Sequence, residues 1–201
     1  MMATAQPIRA DARRNRAQIL KAAQAVFTEQ GASATTESVA ARAGVAIGTV
    51  FRHFPKKSDL LAAVVMDLQD QLAVEADRLV RDEDPDTALF TFCSLIMSGC
   101  AANREVFQRL AETGVHVRVS DALTRMRATI MDLLSKAQDQ HVVRVDLGSE
   151  ELIALLAAVC EQAIADDWGE QFRGRMLDIL FSGLRPQKYS VPKGPKVPPE
   201  A

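Results

Sequence analysis

The sequence predicts an all-α protein of about nine helices. Apolar residues recur at spacings of three and four along nearly the whole chain. No alternating run bounded by hairpin turns interrupts them, and Gly or Pro stands where helices would stop. With 201 residues, 48% apolar and 25% charged, the chain is long enough for one large domain or two small ones around a real core. Ten Gly and eight Pro are too few for a fibre or a disordered chain.

The longest strictly apolar run, Leu152 to Cys160, falls far short of the roughly 20 residues that span a bilayer, and the opening MMATAQPIRADARR has no apolar stretch to act as a signal. Cys93, Cys100 and Cys160 are odd in number and lack CxxC spacing, which argues against a disulfide framework or a zinc site. The expectation is a cytoplasmic protein with no membrane partner. Residues 1–60 hold nine Lys or Arg against four Asp or Glu, a net of +5. The remaining 15 basic and 22 acidic residues make −7. A basic head on an acidic body suits a head that meets a polyanion.

From Ala12 to Gln30, Ile19, Ala23, Val26 and Phe27 form one apolar stripe, Arg13, Arg14, Arg16 and Lys21 take other faces, and Gly31 closes the helix. Thr35 or Thr36 can cap a short helix through Ala43, because a hydroxyl satisfies a free N–H at a helix start; Gly44 ends it. A second short helix from about Ile47 stops at His53 or Phe54, since Pro55 disfavours helical geometry in the residue before it. Ala43-Gly44-Val45-Ala46 then becomes the turn of a helix-turn-helix over about 36–54, within a domain of residues 10–57.

Such a motif reads the DNA major groove from the N-terminal end of its second helix while neighbouring groups hold phosphates. Ala46 and Gly48 allow close backbone approach, Thr49 can hydrogen-bond a base or touch a thymine methyl, and Ile47 offers apolar contact only. Arg52, His53, Lys56 and Lys57 supply the phosphate side, the two lysines at a helix start whose free N–H groups attract an anion. Taken alone, His53 reads equally well as packing at a helix end.

The run TTESVAARAGVAIGTVFRHFPKKSDLL, Thr35 to Leu61, resembles the DNA-binding signature of the tetracycline-repressor (TetR) family of bacterial regulators. The likeness covers about the first 65 residues. It implies that Thr36 contacts a phosphate, that Ile47 and Thr49 face bases, and that Lys57 holds the DNA backbone. Phe51 and His53 stand where the family usually has a tyrosine and often a histidine against DNA. Three departures each remove a polar group: Ala46 for a usual Ser or Thr, Ile47 for a frequent Lys or Arg, and Phe51 for the usual Tyr. Affinity then leans on Arg52, the lysines and the Arg-rich first helix.

Leu60, Leu61, Val64, Leu68 and Leu72 continue one stripe through a long fourth helix to about Arg81, opening a second domain of residues 58–184. Asp82 to Asp86 break it, and Pro85 suits the start of a fifth helix, Thr87 to Ala102, that is apolar nearly all round and therefore surrounded. Asn103 is expected to cap a short helix carrying Val106, Phe107 and Leu110 and ending by Gly114. Ser120 should cap another carrying Leu123, Met126, Ile130, Met131 and Leu134. Two last helices run from Ser149 to Asp166 and from Glu170 to Gly183, and residues 185–201, rich in Pro and Lys, read as a flexible tail.

In the resembled family the last two helices pair with their copies in a dimer. The wide stripe of Leu152, Leu155, Leu156, Val159, Phe172, Met176, Ile179 and Leu180 agrees with this, and two-fold symmetry matches a near-palindromic DNA operator. The family's body holds an effector, for which Phe90, Cys93, Met97, Phe107, Arg109, His116, Met126 and Met131 are candidate contacts; a Met and Phe stripe equally describes plain core. No metal or cofactor is expected, since His116 and His141 lack neighbours at ligand spacing. GxGxxG, GxxxxGK[ST], HExxH and GxSxG are absent, so no enzyme is expected. The resulting expectation is a dimeric repressor of double-stranded operator DNA, released by an unknown small apolar or amphipathic effector. The alternatives are an architectural DNA binder or an activator without small-molecule control.

Overall fold

The structure is a computed structural model and describes residues 5–186. Among these are ten α-helices and no strand: α1 (Ala5–Gln30), α2 (Thr36–Ala43), α3 (Ile47–His53), α4 (Lys57–Asp82), α5 (Pro85–Ala102), α6 (Arg104–Glu112), α7 (Val119–Arg125), α8 (Arg127–Asp139), α9 (Ser149–Asp166) and α10 (Glu170–Leu184). The all-α expectation therefore stands, with one helix more. Of the segment expected as a tail, all but Arg185 and Pro186 lies outside the described residues.

Local signals account for most boundaries. Thr35, not Thr36, caps α2: its Oγ1 accepts from the Ser38 N–H at 3.1 Å. Gly44 ends α2 at φ 66°, a left-handed conformation that costs glycine little, and its N–H turns back to the last carbonyls of the helix. At the start of α4 the Asp59 carboxylate accepts the Lys56 N–H at 3.1 Å. Pro85 occupies the first turn of α5 beneath an Asp84 cap.

Three expectations are corrected. The first helix begins at Ala5 rather than Ala12. Asn103 and Ser120 do not cap with their side chains: Asn103 directs its amide elsewhere, and α7 starts at Val119. The single helix expected after Ser120 is two, broken at Met126. Val119, Leu123, Met126 and Ile130 keep helical spacing across the break, so periodicity does not reveal it. The break lets α7 lie on α9 while α8 packs against α4 and α5.

The helices enclose two apolar cores. The head core joins Ile19, Ala23, Val26 and Phe27 of α1 to Val39 of α2, Val50 of α3, Phe54, and Leu60, Leu61, Val64 and Val65 of α4. It also takes Val106 and Leu110 from α6. The body core gathers Leu79, Leu89, Phe92, Met97, Leu123, Ile130, Leu133, Leu152, Leu156 and Cys160. A boundary drawn at residues 57 and 58 thus cuts through the head core. Because Leu110 sits in that core with almost no exposure, Leu110→Ala should cost about 2–5 kcal/mol. Urea denaturation followed on head resonances measures it, and a loss below about 1 kcal/mol contradicts the shared core.

Candidate nucleic-acid interface and body cavity

The head presents the second helix of a helix-turn-helix to solvent. On α3, Val50 is wholly buried and anchors the helix, while Ile47 and Phe51, one turn apart, remain 38% and 47% exposed. Gly48 and Arg52 are exposed beside them, Ala46 is exposed at the N-terminus, and Thr49 and His53 are half-buried. This outward face has no charge at its N-terminal end and a cation at its C-terminal end. Such a face can meet apolar base edges such as thymine methyls near the helix start and phosphate further along. Thr36 is half-buried in the first turn of α2, and Lys56 is exposed at the start of α4.

Several head cations are committed within the chain. Arg42 forms a two-pronged ion pair with Glu29, its Nη2 donating to Oε1 at 2.7 Å, which fastens α2 to α1 and raises the arginine's pKa through that hydrogen bond. The Lys57 Nζ donates to the Ala34 carbonyl at 2.9 Å and lies 5.5 Å from the Phe27 ring centre. The Arg16 guanidinium stands 5.3 Å from the Phe54 ring. Lys57 is thus a brace of the head whatever it does on DNA. Sequence reasoning missed these pairs because no periodic signal marks partners 13 to 38 residues apart.

A mostly apolar cavity of about 100 Å³ opens between α4, α5, α6 and α7. Val65, Leu68, Leu72, Leu95, Ile96, Phe107, Val117, Val119 and Leu123 line it, with Gln69, Gly99, Cys100, Asn103 and Ala122. No charged side chain lies on its wall. Of the eight residues expected there, Phe107 alone is present. Phe90 packs edge-on against Phe181 of α10, ring centres 4.9 Å apart, beside Arg185. Cys93, Met97 and Met126 are buried in the body core. Arg109 is held by Glu105 at 2.9 Å and Glu112 at 3.5 Å, and His116 and Met131 face solvent. Apolarity all round α5 hid which face borders the cavity: it is the face of Leu95, Ile96, Gly99 and Cys100.

The residues expected at a dimer face also divide. Leu152 and Leu156 are wholly buried against their own chain and cannot meet a partner. On α9 and α10 together, Leu155, Phe172 and Ile179 are exposed, while Val159, Met176 and Leu180 are half-buried. Among the described residues no group of three His, Cys, Asp or Glu could hold a metal ion. None of their helices is long and apolar enough to cross a membrane.

A basic helical head with a helix-turn-helix, fused to a helical body that contains a cavity, defines a class of DNA-binding regulator. Residues 19–64 match the model for "Bacterial regulatory proteins, tetR family", and residues 84–186 match that for "Transcriptional regulator SbtR-like, C-terminal domain". A TetR transcription regulatory protein from Mycobacterium vanbaalenii is similar in structure at TM-score 0.71. It is 33% identical, with 89% of this chain and 99% of that one covered. HTH-type transcriptional regulator SrpR of Pseudomonas putida is 27% identical, covering 88% of this chain and 78% of its own. Nucleoid occlusion factor SlmA of Marinomonas sp. strain MWYL1 is 24% identical, covering 88% and 91%. The chain belongs to the TetR family of DNA-binding transcriptional regulators.

Burial governs the thiols. Cys93 is pushed up to about 12 by loss of water, and Cys160 is raised by its hydrogen bond with Cys100 and by burial. At pH 8 both stay protonated and shielded. An aromatic disulfide reagent should therefore label Cys93 and Cys160 only at the rate of unfolding, whereas all three thiols react at once in denaturant. Rapid labelling of Cys93 in the native state contradicts the packing.

Proposed function

We propose that this regulator is a dimeric, sequence-specific repressor that leaves a near-palindromic operator when a small apolar or amphipathic effector enters the body cavity. The observation that carries the reading is the position of that cavity. Two of its four walls are α4 and α6, the same two helices of the cavity that enter the head core. Val65 borders the cavity and packs in the head, and Phe107 on the cavity wall is flanked in sequence by Val106 and followed by Leu110, both buried in the head. A ligand that fits one arrangement of these helices better than the other shifts the spacing of the heads; one that binds both equally shifts nothing.

On DNA, Ile47, Gly48, Thr49 and Phe51 face bases, and Thr36, Arg52, His53, Lys56 and Lys57 serve phosphates. The exposure of Ile47 and Phe51 supports apolar contact in place of the polar groups that the departures removed. The dimer forms through Leu155, Val159, Phe172, Met176, Ile179 and Leu180, a face that the chain itself leaves uncovered. A second reading, DNA binding without ligand control, is favoured by the small volume of the cavity.

Selection of fragments from random and genomic DNA by the purified protein at two salt concentrations tests the reading. A recurring inverted repeat is expected; binding that is salt-sensitive but indifferent to sequence overturns operator recognition. Lys56→Ala and Lys57→Ala should weaken all sequences alike and lower the salt slope by about one each. Lys57→Ala should in addition reduce stability through the lost Ala34 and Phe27 contacts. Thr49→Ala should instead alter base preference at one operator position by about 1 kcal/mol. Ile179, 66% exposed on α10, gives the dimer test: Ile179→Glu should sediment as a monomer, and an unchanged dimer removes α10 from the interface.

A further inference from the structure

The α5–α6 corner holds a polar group whose surroundings are unlike the rest of the cavity wall. Asn103 is the one buried polar residue among the described residues, at 4% exposure. Its Nδ2 donates to the Gly99 carbonyl at 2.9 Å, within its own corner. Its Oδ1 accepts from Gln24 Nε2 at 3.1 Å, across 79 residues of sequence, from α1 of the head. Asn103 and Gly99 both border the cavity. A single planar amide on the cavity wall is therefore held at one end by its own corner and at the other by the DNA-binding head.

Gln69, the other amide on the wall, is anchored through its Oε1, which accepts from Arg125 at 2.6 Å and leaves its Nε2 able to donate, and no wall residue carries a charge. Burying an ion against such a wall is costly, whereas a neutral oxygen that finds an amide is not. The volume suits a molecule of few heavy atoms, on the scale of the cavities that hold benzene.

From this juxtaposition we infer that the Gln24–Asn103 hydrogen bond is the tether through which the head senses occupancy of the cavity, and that the occupant is an uncharged, largely apolar molecule with one hydroxyl or carbonyl. The inference rests on the cavity being an effector site. The ligand oxygen takes the Asn103 amide. Because the carboxamide is planar, turning it toward the ligand carries Oδ1 away from Gln24, and α1 loses one of its two side-chain hydrogen bonds to the α5–α6 corner. By reciprocity, a ligand that weakens the tether is itself bound more weakly while the tether is intact, so removal of the tether strengthens ligand binding.

The test uses 1-hexanol as probe, with hexanoate and hexylammonium as charged controls, titrated into the full chain and followed by methyl resonances of Val65, Leu72 and Leu123 on the cavity wall. Hexanol should shift these methyls in the wild type and the two ions should not. In Gln24→Met, which keeps length and loses the donor, hexanol should bind about two- to tenfold tighter, the equivalent of one net hydrogen bond. Gln24→Glu, which can accept from a turned Asn103 amide, should bind no tighter than wild type. Thr28→Val removes the other α1 hydrogen bond to this region, Thr28 Oγ1 to the Ala102 carbonyl at 3.3 Å and off the cavity wall, and should leave hexanol affinity unchanged.

Equal affinity in wild type and Gln24→Met overturns the tether while leaving the cavity reading intact, as does an equal gain in Thr28→Val. Equal binding of hexanoate overturns the neutral-ligand assignment. Failure of hexanol to shift the wild-type methyls removes the effector reading itself, and the tether with it.

Discussion

One helix is buried at its two ends in two different cores. The 26 residues of α4 extend about 39 Å at 1.5 Å per residue. Leu60, Leu61, Val64 and Val65 at one end belong to the head, and Ala76 and Leu79 at the other to the body. A continuous helix transmits tilt because its hydrogen-bonded backbone does not fold at the middle. Close-packed cores at each end convert that tilt into side-chain displacement rather than absorbing it. The shorter α6 adds a second link, with Val106 and Leu110 in the head and Phe107 at the cavity. Head and body are therefore two cores but one mechanical unit.

The head shows how little a count of charges says about their use. Helices of eight and seven residues such as α2 and α3 are too short to persist alone in water. Apolar anchors hold them: Val39 and Ala40 beneath α2, Val50 beneath α3. Arg42 on Glu29, Lys57 on Ala34 and Arg16 over Phe54 then set their orientation. Exposed contacts of this kind, the Arg42–Glu29 ion pair among them, contribute little stability; here they determine which cations stay free. Arg52 on α3 and Lys56 just after it are exposed, and the outward face of α3 is more apolar than the positive head charge suggests.

The body distributes its apolar surface unevenly. The α5 helix is enclosed by α4, α8 and α9, which matches its uniform apolarity. By contrast, Leu184 is the one fully buried residue of α10, although the helix carries Phe172, Met176, Leu177, Ile179, Leu180 and Phe181. Leu177, Leu180 and Phe181 pack at the edge of the body core, whereas Phe172 and Ile179 remain exposed on the same helix.

Local chemistry made much of the fold legible. A hydroxyl before α2, Gly44 able to adopt positive φ, Pro55 after α3 and Pro85 at the start of α5 are decided by neighbours within four residues, so sequence alone determined the helix-turn-helix and most helix ends. Periodicity likewise showed that each helix has an apolar face, yet it does not say what that face meets. Leu152 and Leu156 share their helix with exposed Leu155, and only packing against α5 separates core from surface. Phe90, Cys93 and Met97 share α5 with Ile96 and Cys100, and only the placement of α4, α6 and α7 decides which of them borders the cavity. The break at Met126 and the meeting of Gln24 with Asn103 belong to the tertiary structure for the same reason. Both depend on groups far apart in the chain, whose approach is set by how two cores close around shared helices and not by any residue's own preference.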